Sequence, residues 1–212
     1  MTTSPSTCVT CKSGSGLVSG VVRGGGVETI GLTGGAVVAA VVLAVEGGGM
    51  RGVISGGMLY ALEDLGLTGA FDAVYGMSSG AINAAYFLLG ESWLPLSIYY
   101  DDLTSKRFID FARPLRAQSI MDLDYVFDEV IVRRKPLDLD GVLASEVPLH
   151  VGITFVDKLE TVLVRDFTDA DDLRDALRAT MWLPGAVQGT TTFRGDRALD
   201  GGVLTAHPYA LA

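Results

Sequence analysis

The sequence predicts an α/β domain built around a parallel sheet, and three observations predict it. The β-branched run Ala36 to Val45 does not alternate polar and apolar residues, as suits a central strand buried on both faces. It leads into a glycine cluster, Gly47-Gly48-Gly49-Met50-Arg51-Gly52, which opens a helical stretch. A second short run, Phe71 to Tyr75, leads through the tight turn Gly76-Met77-Ser78-Ser79-Gly80 into another helix. Strand, glycine turn, helix, strand, sharp turn, helix is how a parallel sheet begins, because parallel neighbours need a crossover. Ligands of such sheets bind at the carboxyl ends of the strands, where both glycine turns fall.

Each element follows from local chemistry. Residues 1–35 are Gly, Ser and Thr-rich with no sustained period, and read as a flexible leader before a domain spanning 36–212. Ile54, Met58, Leu62 and Leu65 recur at near-helical spacing, and Gly66 is a stop. Ala81 to Leu89 is apolar all round, hence a buried helix, ending at Gly90. The stretch 91–147 reads as mainly helical, punctuated by Pro95, Pro114 and Pro136. Val151 to Phe155 and Thr161 to Val164 read as a hairpin turning at Asp157-Lys158. Thr168 is a candidate cap for a helix over 169–181, with Asp171 and Asp172 in its first turn. Strands near Thr191 to Phe193 and Arg197 to Leu199 lead into Asp200-Gly201-Gly202.

Composition bounds the function. The 212 residues suit one domain, and 49% hydrophobic against 19% charged residues is too apolar for a disordered chain. Mean hydropathy is +0.38. The longest apolar run is nevertheless about half the roughly 20 residues a membrane-spanning helix needs. A soluble or peripheral protein is therefore expected. A net charge of −9 argues against nucleic acid, which needs a clustered basic surface. The dense basic run Arg133-Arg134-Lys135 reads as a solvated helix end. Cys8 and Cys11 lack the further ligands a zinc site needs and are too few for a disulfide scaffold, so the cytoplasm is the default compartment. No basic region followed by an apolar one opens the chain, so no secretory signal is read. Nothing in the sequence sets an oligomeric state.

Three motifs carry chemistry. Gly76 to Gly80 fits G-x-S-x-G between a strand and a buried helix, the context of a nucleophile elbow, with Ser78 at the apex and Ser79 inside the helix start. Gly47 to Gly52 can form a nest of backbone N–H groups for a phosphate or an oxyanion, with Arg51 adding positive charge. No Lys-Ser or Lys-Thr follows it, so it is not a P-loop. Gly47, Gly49 and Gly52 do fit a dinucleotide fingerprint, with Asp72 as the downstream acid. Asp200 on its glycine turn is a candidate base. Of the two histidines, His150 reads as a strand residue. Ser78, Asp200 and His207 keep the chain order of a hydrolase triad, with Asp200 and His207 closely spaced.

Taken together and in order, these motifs resemble the patatin-like phospholipase family, whose pattern is a G-G-G-x-R/K-G loop, G-x-S-x-G and a downstream D-G-G or D-G-A. Leu183-Pro184-Gly185 is also similar to the family, and the resemblance covers about Val41 to Pro208. It implies a three-layer sandwich with a mostly parallel central sheet, and a domain that continues past residue 212. It implies a serine lipid acyl hydrolase with Ser78 as nucleophile and Asp200 as proton acceptor, without histidine. The N–H groups of Gly48, Gly49 and Met50 would stabilise the oxyanion, and Arg51 would support the loop or meet a lipid phosphate. Gly76, Met77, Ser79 and Gly80 would form the elbow, and Gly201 and Gly202 the aspartate turn. No metal or organic cofactor is implied. The expected partners are a lipid or acyl ester and, transiently, a membrane or micelle surface.

Overall fold

The structure, a computed structural model, describes residues 19–23 and 40–211. Most of the expected leader, and with it Cys8 and Cys11, lies outside the described residues, as does the start of the run from Ala36. Ser19–Arg23, inside that expected leader, forms a strand, β1. The remaining strands are β2 (Val41–Val45), β3 (Ala73–Met77), β4 (Leu149–Phe155), β5 (Glu160–Val164), β6 (Thr191–Phe193) and β7 (Asp196–Asp200). The helices are α1 (Gly52–Asp64), α2 (Ser79–Leu88), α3 (Trp93–Asp101), α4 (Leu139–Leu143) and α5 (Ala170–Thr180).

The protein is a mixed α/β fold whose central sheet is flanked by helices. β2, β3 and β4 run parallel at its centre. β1 adds to β2 antiparallel, and β6 pairs with β7. Around β4 the register decides the geometry of everything that follows. β5 lies along residues 151–155 of β4, β3 along 149–152, and β7 along 153–155. A strand has two edges, and β5 overlaps both of the others, so β3 and β7 share the opposite edge. They run towards each other there. β3 ends with Met77 opposite Gly152, and β7 ends with Asp200 opposite Ile153. Two chain ends far apart in sequence therefore meet at adjacent positions of one strand.

Period-two alternation sorts the faces. Leu43, Val45, Val74, Val151 and Ile153 are sealed in the core with the helices. α2 is the central helix of that layer, and nine of its ten residues are buried, as its apolar sequence predicts. α5 places Leu173, Ala176, Leu177 and Thr180 inward at helical spacing. Its cap is Asp169 rather than Thr168: the Asp169 carboxylate accepts the Asp172 N–H at 2.9 Å. On the other face sit Tyr75 and His150, ring against ring at 4.6 Å.

The segment 91–147 is helical but irregular. Tyr125–Arg134 is a π-helix, and the Lys135 N–H continues its pattern to the Val130 carbonyl five residues back. The basic run there is not simply a solvated end. Arg134 and Lys135 close on the fully buried Asp102 at 2.6 and 2.9 Å, and Arg133 faces Glu129. Among the described residues no helix is long and apolar enough to cross a membrane.

Candidate active site

β3 delivers Ser78 at a turn so sharp that its backbone sits at φ 55°, ψ −139°. A non-glycine residue there is strained, and the surroundings must hold it. They do so through Thr180 at the end of α5. The Ser78 N–H donates to the Thr180 hydroxyl at 2.8 Å, and that hydroxyl donates to the Gly152 carbonyl at 2.6 Å. The flanking glycines answer to packing. A Cβ on Gly76 would stand 2.5 Å from the Ala81 Cα, and one on Gly80 2.5 Å from the Val45 carbonyl oxygen. Strand and helix can approach this closely only with glycine at both positions.

The glycine cluster packs against the same turn. A Cβ on Gly47 would lie 2.7 Å from that of Ser78. Gly48 and Gly49 take φ values of +117° and +61°, which side chains oppose. A short 3₁₀ turn, Gly49–Arg51, then runs directly into α1. The amides of Gly48 to Met50 thus stand at the start of a continuous helical stretch, where the first donors have no carbonyl behind them. A buried polar cluster fixes the loop. The Ser79 hydroxyl donates to the Gly49 carbonyl at 3.1 Å, and the Asn83 amide donates to the Gly52 carbonyl at 2.8 Å. Ser55 and Tyr99 complete it, with the buried Tyr99 hydroxyl pushed up to about 12 by desolvation.

Asp200 is buried at the end of β7, beside Ser78. Burial raises its carboxyl above the ordinary value, while the neighbouring Ser78 hydroxyl and the Gly202 N–H, which donates to it at 2.8 Å, pull it back down. Gly201 is pressed against Gly152 and Met77, which explains the small residue after the acid. Ser78, Asp200, Gly47, Gly48, Gly49, Arg51 and Gly202 line one cleft of about 380 Å³. A second, small apolar pocket of about 30 Å³ touches Gly49 and Ser79 from behind and is walled by Ile98, Phe108, Val126 and Met181.

The other sequence candidates fall elsewhere. His207 reaches the cleft, but its ring pairs with Glu46 and stacks on Tyr209. Among the described residues no hydrogen bond joins either histidine to Ser78. His150 is buried against Tyr75, and desolvation lowers its basicity. Asp72 accepts the Val41 N–H at 2.6 Å. It therefore marks the amino end of β2, whereas the glycine loop follows its carboxyl end, the wrong disposition for a dinucleotide's ribose acid. Thr180, Asn83, Ser55 and Tyr99 belong to none of the three sequence motifs. Thr180 had one signal, a polar residue on the apolar stripe of α5.

A model of the family described as patatin-like phospholipase matches residues 43–212. The chain is 26% identical to the uncharacterized protein YjjU of Escherichia coli strain K12 over 172 residues, covering 79% of this chain and 47% of that protein. It is 30% identical to the mouse 1-acylglycerol-3-phosphate O-acyltransferase Pnpla3 over 138 residues, covering 61% of this chain and 30% of that one. The chain thus spans less than half the length of either curated relative.

Proposed function

The chain belongs to the patatin-like phospholipase family, and from that premise we propose that it is a serine hydrolase of fatty acyl esters, with Ser78 as nucleophile and Asp200 as its base. The observation that carries this reading is the end-to-end meeting of β3 and β7 on β4, which brings a strained serine and a buried carboxylate into one cleft beside a glycine loop. The Ser78 hydroxyl attacks the ester carbonyl while its proton passes to Asp200. Negative charge develops on the carbonyl oxygen and is met by the amides of Gly48, Gly49 and Met50, a contribution of about 3 kcal/mol per donor in comparable sites. Asp200 returns the proton to the departing alcohol, leaving an acyl-serine. Water then attacks the acyl-serine as Asp200 takes its proton, the Ser78 O–acyl bond breaks, and Asp200 passes the proton to the Ser78 oxygen, freeing the fatty acid and restoring both groups. A carboxyl raised by burial is better suited to this exchange than an ordinary aspartate, because its pKa lies closer to working pH. The Ser78 N–H is engaged by Thr180 and is not itself an oxyanion donor.

A second acceptor is supported by the name of the mouse relative, an acyltransferase. In that variant an alcohol replaces water in the second step and the same residues serve.

Hydrolysis of p-nitrophenyl acyl esters tests the dyad. The wild type should release p-nitrophenol, Asp200→Asn should lose at least 10³-fold on the order of other base deletions, and His150→Ala and His207→Ala should retain activity. Collapse of activity in folded His207→Ala would replace the dyad with a triad.

A further inference from the structure

We propose that residues 104–118 form a lipid-docking loop that seats on an anionic membrane surface. Among the described residues its Phe111 and Leu115 are the two most exposed large hydrophobic side chains, at 79% and 90%. Single exposed apolar residues are common on protein surfaces. Here two stand about one turn apart, around the 3₁₀ helix Arg113–Arg116, amid charge of the opposite sign to the chain's. Lys106, Arg107, Arg113 and Arg116 against Asp110 leave the segment at +3, while the chain carries −9.

The charges have distinct employment. Arg113 turns inward and ties the loop, donating to the carbonyls of Lys106, Arg107 and Phe108 at 3.2, 2.7 and 3.3 Å, and facing Asp122 at 3.6 Å. Asp110 is spent on the Ala112 N–H. Arg107 lies over the Tyr125 ring, with Glu129 at 4.0 Å. Lys106 and Arg116 are exposed without an acidic partner among the described residues. The apolar tips are therefore held outward by a tied backbone. Cations beside them can meet lipid phosphates as the tips enter the acyl boundary, the arrangement of an interfacial anchor. The inner side of the same segment bears on the site. Phe108, buried to 2%, walls the apolar pocket that touches Gly49 and Ser79.

The full chain, sedimented with vesicles of phosphatidylcholine alone or with about one-third phosphatidylglycerol, tests this. Wild type should bind the phosphatidylglycerol vesicles more tightly, and added salt should weaken that preference. Phe111→Ser with Leu115→Ser should weaken binding to both vesicles about tenfold or more, from the apolar area withdrawn. Lys106→Gln, Arg107→Gln and Arg116→Gln together should abolish the preference, at about fivefold per charge. Both variants should keep the circular dichroism spectrum and the rate on a monomeric ester. Absence of wild-type binding, or equal binding by wild type and the serine variant, would overturn the proposal. So would a wild-type dimer that the serine variant converts to monomer, since the patch would then be a self-interface. Vesicle binding without any ester hydrolysis would uphold the docking loop while removing the hydrolase reading.

Discussion

Asp200 is asked to be two incompatible things, a buried group and a charged one. Its carboxyl is raised by desolvation, so the folded protein holds a proton more tightly than the unfolded chain does. Stability from such a group is fully present below the unfolded value and is lost as pH rises through the folded one. Ionising the carboxyl thus costs the fold stability. Asp200→Asn should raise the melting temperature at pH 7, and the gain should shrink as pH falls into the ordinary carboxylate range. Activity should move the other way. In the proposed dyad Asp200 acts ionised, so wild-type hydrolysis should decline on acidification at a pH above that of an ordinary aspartate; thermal melts and rate profiles across pH check both. Thr180 is the second residue of consequence. Thr180→Val leaves the Ser78 N–H and the Gly152 carbonyl unpaired in the interior, a loss of about 2 kcal/mol. It should also slow the proposed hydrolysis by on the order of 10²-fold through misplacement of the Ser78 hydroxyl. Thr180→Ser should restore both. Sequence exposed Ser78, Asp200 and the glycines because each answers a demand local to its own turn. Thr180 answers a demand 102 residues away, and no local pattern carries that.

At the scale of elements the same division holds. β2, α1, β3 and α2 are legible because apolar runs and glycine turns follow one another at strand and helix lengths. The hairpin of β4 and β5 is legible from its two runs and the turn between them. β1 is not, because Ser19–Arg23 owes its existence to pairing with β2 rather than to its own period. The π-helix is not, because its buried residues Phe127, Val130 and Ile131 recur at a spacing that an ordinary helix also gives. The elbow is the element most sensitive to a single methyl group. In Gly80→Ala the new Cβ meets backbone atoms of Val45 and Glu46 rather than a movable side chain. The variant should lose about 1–3 kcal/mol in chemical denaturation, and the displaced end of β2 should carry the glycine loop out of register. A variant as stable and as active as wild type would show that strand and helix are not clamped as described.

Across the whole molecule, the cleft is assembled from stretches far apart in the described chain, Glu46 to Arg51, Met77-Ser78, Leu183 and Asp200 to Pro208. The sequence names those pieces without saying that they meet. What joins them is one strand edge shared by β3 and β7, a tertiary fact that the order of the motifs permits but does not dictate. The claim that this edge creates a working nucleophile is tested most directly by treating the folded protein with a fluorophosphonate and mapping the modified peptide by mass spectrometry. A single adduct on Ser78 is expected, absent in Ser78→Ala and strongly slowed in Asp200→Asn with the fold intact. Labelling that persists in Ser78→Ala, or proceeds undiminished in Asp200→Asn, would contradict it.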